Sequence, residues 1–234
     1  MRETPWTTGT TLTGVPVREP PASLHLPFDM TLVMLPVPMR YPPSHKHATR
    51  RRIVAAASAA FRERGVEGVG VDEVMRRAGL THGGFYAHFR DKTELVAEAC
   101  AEAFDEAVVN LDRIAALPTA AKRARLLIDS YLSKHHRDNR GSGCLVVAVG
   151  ADMARLSGPA RSDYARGFER HIDRLGEALR LARDPGENRD RVTHLMSSLV
   201  GALIFARATD DPARSDALLS SSRRMLRKTF TSVP

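Results

Sequence analysis

Apolar residues recur along most of the chain at the three- and four-residue spacing of an amphipathic helix. The first clear helix runs from Thr49 towards Gly65, a glycine that is placed to end it. Its apolar positions share one face: Ile53, Ala57, Ala60 and Phe61. This spacing predicts a helix of about four turns.

Two short helical segments and one long helix follow. The first short segment covers Val71 to Ala78, Gly79 stops it, and the second segment begins directly afterwards. Asp91 and Glu94 have the spacing of a capping box, which marks the start of a helix. The apolar pattern then continues as one long helix that we expect to end before Pro118.

Residues 119–234 continue with apolar helical stripes and give no strand signal. The stripes predict helices at 120–137, 144–155, 160–182, 187–209 and 212–230. No internal repeat indicates a solenoid. The predicted fold class is therefore all-α, with a small head of three helices joined by one long helix to a larger helical bundle.

The first 44 residues follow a different pattern. They hold nine of the fourteen prolines and only six charged residues. Proline restricts the backbone and removes a hydrogen-bond donor, so we predict an extended, disordered arm over residues 1–44. Met30, Met34 and Met39 within it raise the hypothesis that translation begins inside the arm.

Composition narrows the class of protein. Of the 234 residues 43 % are hydrophobic, enough to bury a core and to exclude a wholly disordered chain. The two cysteines, Cys100 and Cys144, are too few for a disulfide framework, which favours a reducing cytoplasm. The longest apolar stretch, Leu195 to Ala206, falls short of a membrane span. We expect a cytoplasmic protein without a membrane partner.

The net charge of +8 fits either a nucleic-acid partner or a solubilising surface, and its distribution separates the two readings. Residues 45–92 carry ten Lys and Arg against five Asp and Glu, a net charge of +5. Residues 93–117 have a net charge of −5, with Arg113 opposing six carboxylates. The concentration of positive charge over 45–92 favours a polyanionic partner for that segment.

The segment 71–89 has the form of a helix-turn-helix. Gly79 supplies the turn, and Ala78 allows the two short helices to approach closely. The second helix, starting near Thr81, is then the recognition element. Its exposed face offers side chains that can bond to phosphates or base edges: Thr81, His82, Tyr86 and His88. Phe85 and Phe89 fit the core better than a base-stacking role.

Residues 47–96 resemble the DNA-binding domain of the TetR family of bacterial transcriptional regulators. The residues that carry the resemblance are Phe61, Gly65, Val71, Val74, Ala78, Gly79, Leu80, Thr81, Gly83, Phe85, Tyr86, His88, Phe89, Lys92 and Leu95. The resemblance implies that Thr81 caps the recognition helix and binds phosphate. It also implies that His82, Gly83 and Gly84 face the major groove, while Tyr86 and Lys92 hold the DNA backbone. The full set of DNA-binding candidates is Arg50, Arg51, Thr81, His82, Gly83, Gly84, Tyr86, His88 and Lys92.

Two positions depart from the family pattern. Val69 and Gly70 replace the Thr or Ser usual before the second helix, which leaves glycine as a weaker N-cap. Gly84 stands where the family often has Thr or Ala, and it lacks the methyl group that could contact a thymine.

The resemblance also implies a division of labour. Residues 45–92 form the head, and residues 93–234 form a body that binds an effector and dimerises. The dimer forms through residues 187–230, where the expected close-packing and apolar positions are Ser197, Ser198, Leu199, Gly201, Ala202, Leu203, Ala206 and Leu226. A partly apolar effector of unknown identity is expected in a pocket with candidates Tyr131, His135, Cys144, Met153, Phe168, His171 and Met196.

The expected function is a homodimeric, ligand-responsive repressor released from a palindromic DNA operator. No catalytic, metal-binding or cofactor-binding constellation is predicted, because His135 and His136 point roughly 100° apart on a helix and the cysteines lack metal spacing. Two alternatives stay open: a constitutive DNA-binding dimer with a filled core, and a helical enzyme with a helix-turn-helix-like head.

Overall fold

The computed structural model describes the backbone of residues 43–231 and the side chains of 45–108 and 111–231. Its helices are α1 (Pro43–Arg64), α2 (Val71–Arg77), α3 (Lys92–Ala115), α4 (Ala120–Tyr131), α5 (Lys134–Asp138), α6 (Leu145–Arg155), α7 (Pro159–Leu179), α8 (Pro185–Ala208) and α9 (Pro212–Thr231). Short 3-10 helices cover His82–Ala87, named the recognition segment below, and Arg140–Ser142. The described residues contain no strand, and the all-α fold class is confirmed.

The helices begin where the sequence supplies the right residue. Proline, whose fixed φ suits the first turn of a helix, opens four of them: α1, α7, α8 and α9. At the start of α3, α4, α5 and α8, a backbone N–H of the first turn donates to a side-chain oxygen of the N-cap residue. The N-cap residues are Asp91, Thr119, Ser133 and Asp184 respectively. These starts are set locally, within three residues of each cap.

Two glycines in the left-handed region set the path of the head. Gly65, with φ +74°, ends α1, and Gly79, with φ +67°, ends α2. At Gly79 the backbone forms a Schellman motif, because Leu80 N–H donates to Met75 O and Gly79 N–H donates to Arg76 O. The turn of the predicted helix-turn-helix is therefore present.

The core consists of two clusters of buried side chains. The head-side cluster joins α1, α2, the recognition segment and the first half of α3 to α6, and its largest members are Phe61, Phe85 and Phe89. The body-side cluster joins α4, α7, α8 and α9 to the second half of α3. Since α3 contributes to both clusters, it connects head and body through its packing.

The structure corrects three predicted boundaries. The first helix starts at Pro43 and not at Thr49, so the last two residues of the predicted arm are helical. The helix predicted over 120–137 is two helices, because the chain turns at Leu132 and Ser133 caps a new helix. The recognition element is a 3-10 helix, in which Gly83 and Gly84 weaken the tendency to form an α-helix. The rest of the arm and the internal methionines lie outside the described residues.

Within residues 43–231 every helix is too short or too polar to cross a lipid bilayer. The same part of the chain holds no cluster of His, Cys, Asp and Glu side chains that could bind a metal ion.

Candidate nucleic-acid interface and body cavity

The recognition segment presents an exposed polar face. Thr81 occupies its N-cap, but the hydroxyl makes no capping hydrogen bond. Tyr86 is 67 % exposed, and its ring meets the edge of His82 with 6.0 Å between centroids. His82 Nδ1 pairs with the Asp72 carboxylate of α2, which fixes the orientation of the imidazole. A Cβ on Gly83 would meet nothing within 4 Å, so another molecule can approach the backbone there.

The opposite face of the segment is fixed in the core. Phe85 and Phe89 are 1 % exposed and stack with 5.5 Å between ring centroids. The Arg50 guanidinium lies 4.1 Å from the centre of the Phe89 ring, close enough for a cation–π contact. Gly84 sits over α2, where a Cβ would lie 3.5 Å from Met75 Cε. The exposed side chains are thus displayed from a rigid support.

Arg50, predicted to bind DNA, is directed towards α3. Its guanidinium pairs with Glu94 at 2.8 Å and with Glu98, and the hydrogen bond to Glu98 raises the pKa of Arg50. Glu94 also accepts from the Arg90 backbone N–H at 2.8 Å. That bond, together with the Arg50 pair, lowers the pKa of Glu94 to about 2. This cluster ties α1 and the end of the recognition segment to α3.

Two other residues predicted to bind DNA, His88 and Lys92, are also partly packed or hydrogen-bonded within the protein itself. His88 is half-buried, and burial together with the positive charges of Lys46 and Arg50 lowers its pKa, which keeps the imidazole neutral. Lys92 Nζ donates to Val66 O at 2.7 Å and so holds the loop between α1 and α2. One of the three ammonium hydrogens is used in this bond, which leaves two for another acceptor.

Arg51 is exposed on α1, as its predicted role requires. Sequence reasoning did not select Arg52 and Arg76, which are exposed on α1 and α2. Neither has an ion pair within 4 Å among the described residues. Their charge was visible in the sequence, but their exposure depends on how α1 packs against α3.

A cavity of about 490 Å³ lies in the body and is bounded mainly by α3, α4, α6 and α7. Four of the seven predicted pocket residues line it: Tyr131, Cys144, His171 and Met196. The other three lie elsewhere. Met153 is buried in the head-side cluster, Phe168 packs between the two clusters, and His135 is exposed beside Asn139.

His136, the neighbour of His135, lines the cavity instead. Its Nδ1–H donates to Tyr131 O at 2.7 Å, and its Nε2 accepts from Cys144 N–H at 3.0 Å. Burial lowers the pKa of His136, in keeping with the neutral ring that this pair of bonds requires. His136 thereby joins the end of α4 to the start of α6. The break at Ser133, which rotates the following residues, explains why the continuous-helix prediction selected the wrong histidine for the cavity.

Arg62 and Glu106 line the cavity as well, and sequence reasoning missed both. Arg62 belongs to α1 of the head, is 10 % exposed, and pairs with Glu106 of α3 at 2.8 Å. Nothing local in the sequence indicates that a residue near the end of α1 reaches a cavity in the body.

A second polar contact joins head and body. Asp152, near the end of α6, accepts from Val66 N–H at 2.7 Å. A Cβ on Gly65 would lie 2.8 Å from the same carboxylate, so glycine is needed for this close approach. The sequence sign that could have indicated this contact is Asp152 itself, a single carboxylate in the otherwise apolar run from Cys144 to Met153.

Large apolar side chains are exposed on the last two helices. Ile204 and Phe205 of α8 and Met225 of α9 are 43 %, 65 % and 57 % exposed. The leucines predicted for a dimer contact, Leu199, Leu203 and Leu226, are instead buried in the body of their own chain, together with Ala206. Within the predicted region 187–230, the large apolar side chains exposed to solvent are therefore Ile204, Phe205 and Met225 and not the predicted leucines.

Comparison with known proteins identifies the family. The profile described as "Bacterial regulatory proteins, tetR family" matches residues 53–99, and "Tetracyclin repressor-like, C-terminal domain" matches residues 120–221. The chain is 26 % identical over 141 residues to the HTH-type transcriptional repressor NemR of Escherichia coli, covering 59 % of this chain and 71 % of NemR. It is 29 % identical over 138 residues to the transcriptional regulator AcuR of Cereibacter sphaeroides, covering 58 % of this chain and 63 % of AcuR.

Solved structures show the same fold. Reduced E. coli NemR superposes with a TM-score of 0.66 at 22 % identity, over 80 % of this chain and 99 % of NemR. AibR in complex with isovaleryl coenzyme A and operator DNA superposes with a TM-score of 0.55 at 19 % identity, over 78 % of this chain and 98 % of AibR. Head, connecting helix and body together define a DNA-binding transcriptional regulator. The chain belongs to the TetR family.

Proposed function

We propose that this regulator is a homodimeric repressor that binds a palindromic operator and is released when a small molecule enters the body cavity. The observation that carries the proposal is the recognition segment, which displays Thr81, His82 and Tyr86 to solvent while Phe85 and Phe89 hold its back in the core. In this proposal the domain boundary lies at residue 92: residues 45–92 bind DNA, and residues 93–234 bind the effector and form the dimer. The regulator then acts on DNA in the cytoplasm.

The exposed side chains divide by the part of DNA they suit. The free hydroxyl of Thr81 and the phenol of Tyr86 can donate to phosphate oxygens, and Arg51 adds a charge that attracts the backbone. His82, oriented by Asp72, and the open backbone at Gly83 suit base edges in the major groove, whereas Gly84 is directed at Met75 of α2 and supports the segment from behind. In a two-fold dimer the two segments would enter successive major grooves, about 34 Å apart.

The exposed apolar surface on α8 and α9 supports the dimer. Ile204 and Phe205 near the end of α8, and Met225 of α9, are large side chains that a monomer would leave in water. Half-buried Gly201 and exposed Ser197, one and two turns before Phe205 on the same face of α8, would let a second helix approach closely. Because a two-fold interface uses the same surface twice, this patch would contact its own copy.

The cavity supports control by an effector and distinguishes this regulator from a constitutive dimer with a filled core. AibR, which shares the fold, has been crystallised with isovaleryl coenzyme A and operator DNA. In this chain α3 spans from the head to the cavity, and α6 starts at the cavity and carries, near its other end, Asp152, which accepts from Val66 N–H of the head. A ligand that favours the head spacing unable to bind DNA would shift the population away from the operator.

The direct test is fluorescence anisotropy with the full-length protein. Duplexes tiled across the DNA upstream of its own gene are titrated at low salt, where phosphate contacts are strongest. We expect one duplex containing an inverted repeat to bind far more tightly than a scrambled duplex of the same composition. Equal binding to all duplexes, or binding to none, would refute a sequence-specific operator there, and a random-sequence selection would then test whether any preference exists.

A further inference from the structure

The body cavity is elongated and mostly apolar. It follows α3 from Ala103 to Ile114, a distance of about 16 Å at the rise of an α-helix. Leu111, Leu175 and Met196 supply parts of its wall. A pocket of this size suits a molecule that is mainly hydrocarbon, with a few polar atoms that fix its orientation.

Its charged groups are few and, at the head end, already paired. Arg62 and Glu106 lie 2.8 Å apart and offset each other, while Arg113 is exposed at the rim. Among the described residues that line the cavity there is no other Lys, Arg, Asp or Glu. A cation would therefore meet no free carboxylate, and an anion would lose its hydration without gaining an unpaired buried cation.

The two histidines of the wall are uncharged. Burial lowers the pKa of His171 and of His136, and both ring nitrogens of His136 are already bonded within the protein. The interior of the cavity is thus close to electrically neutral at pH 7. This environment favours an uncharged occupant.

Three buried polar atoms of residues that line the cavity have no hydrogen-bond partner: the Tyr131 hydroxyl, Arg62 Nε and His171 Nδ1. Tyr131 is 9 % exposed, and its hydroxyl has no oxygen or nitrogen partner; the neighbouring group is the Cys144 thiol, which is a weak hydrogen-bonding partner. The Nε–H of Arg62 is also buried and unbonded. Burial raises the pKa of Tyr131, so the phenol keeps its proton and donates. A buried donor without a partner is unfavourable, and an oxygen acceptor in the cavity would remove that cost.

We infer that the cavity takes an uncharged, mostly apolar molecule with a carbonyl oxygen that accepts from the Tyr131 hydroxyl. This inference rests on the proposed role of the cavity as the effector site. A carbonyl supplies the missing acceptor without bringing a charge into the neutral interior. The Arg62 Nε–H provides a second donor where the cavity meets the head.

The test uses four probes that share one ring system and differ in one substituent. Acetylnaphthalene carries an uncharged carbonyl, ethylnaphthalene lacks the acceptor, naphthoate is an anion, and naphthylmethylamine is a cation. Each is titrated by calorimetry into the full-length protein without DNA. We expect acetylnaphthalene to bind at least about tenfold more tightly than each of the other three, which corresponds to about 1.4 kcal/mol.

Tyr131→Phe keeps the ring and removes the donor. We expect it to weaken acetylnaphthalene about tenfold and to leave ethylnaphthalene unchanged, while the fold is kept because an unsatisfied hydroxyl is removed. Tyr164→Phe is the matched control. Its hydroxyl is also shielded from water, but Tyr164 does not line the cavity, so the affinity for acetylnaphthalene should not change.

Equal affinity for the ketone and the hydrocarbon, tighter binding of naphthoate or of the amine, or no effect of Tyr131→Phe would overturn the carbonyl assignment. Failure of all four probes to bind would overturn it too. DNA binding is measured separately, so the two proposals fail in different experiments. A protein that binds its operator and ignores the ketone contradicts the ligand class, whereas one that binds the ketone and no DNA contradicts the repressor.

Discussion

Tyr86 in the head and Phe205 in α8 are both large aromatic residues, with nearly the same exposed fraction of 67 % and 65 %. Their surroundings differ. Tyr86 lies beside the polar His82, in a segment whose N-cap is Thr81. Phe205 adjoins the exposed Ile204, on a helix that packs against the one carrying Met225. Exposure alone therefore does not distinguish the two surfaces, but the chemistry of the neighbours does.

The supports behind the two residues differ as well. The recognition segment is held by Phe85 and Phe89 and by an ion-pair cluster centred on Arg50. The α8 surface is backed by Leu199 and Leu203, which are fully buried in the body. The proposed DNA-binding surface is thus fixed by buried rings and by ion pairs at its edge, and the proposed dimer surface is continuous with the apolar core.

The largest effect is expected from Phe205→Glu. A carboxylate in place of the exposed Phe205 ring would have to be buried in the proposed dimer, so we expect the dissociation constant of the dimer to rise at least about 100-fold. Light scattering after size-exclusion chromatography measures the mass. Tyr86→Glu is the matched control, since it changes an equally exposed ring and should leave the protein dimeric. A Phe205→Glu protein that stays dimeric would place the interface elsewhere.

The neighbours Arg50 and Arg51 provide the second test. Arg51→Met should weaken operator binding about tenfold at low salt and reduce the salt slope by about one, with an unchanged melting temperature. Arg50→Met should lower the free energy of unfolding by about 2 kcal/mol, because it removes the partly exposed pairs with Glu94 and Glu98 and the contact with Phe89. The reverse pattern would show that Arg50 binds DNA and that Arg51 is structural.

A smaller effect separates phosphate contacts from base readout on the recognition segment. Tyr86→Phe removes one hydroxyl, and we expect about fivefold weaker binding to operator and to scrambled DNA alike. His82→Ala should instead change which bases are preferred, with little effect on scrambled DNA. Anisotropy against a panel of single-base operator variants measures both. Similar losses from the two substitutions across the whole panel would contradict the division of roles.

The features that could be predicted from the sequence are those set by near neighbours in the chain. The turn at Gly79 and the cap at Asp91 each depend on residues within five positions, and both formed as expected. Family resemblance and periodicity together indicated the all-α class. The 3-10 form of the recognition element could not be predicted from local patterns. We attribute it to the packing of Phe85 and Phe89 in the core as well as to the two glycines.

The features that could not be predicted depend on which way a residue faces after distant helices pack. Arg50 and Arg51 are adjacent on α1 and roughly 100° apart, and only the position of α3 decides that Arg50 is the one turned inward. His136 lines the cavity in place of the predicted His135, because the predicted continuous helix is interrupted and a new helix begins after Ser133. Arg62 reaches the cavity from the head, 44 positions before its partner Glu106.

The smallest effect is expected at Lys92, on the edge of the recognition surface. Its ammonium already donates to Val66 O at 2.7 Å, so part of its role is to hold the loop between α1 and α2. Two N–H groups are left for a phosphate, and we expect Lys92→Met to weaken operator binding about threefold, less than Arg51→Met, while lowering the melting temperature slightly. Anisotropy at two salt concentrations and thermal unfolding separate the two roles. An unchanged salt slope with a lower melting temperature would assign Lys92 wholly to the loop, and the DNA-facing surface would then end at Tyr86.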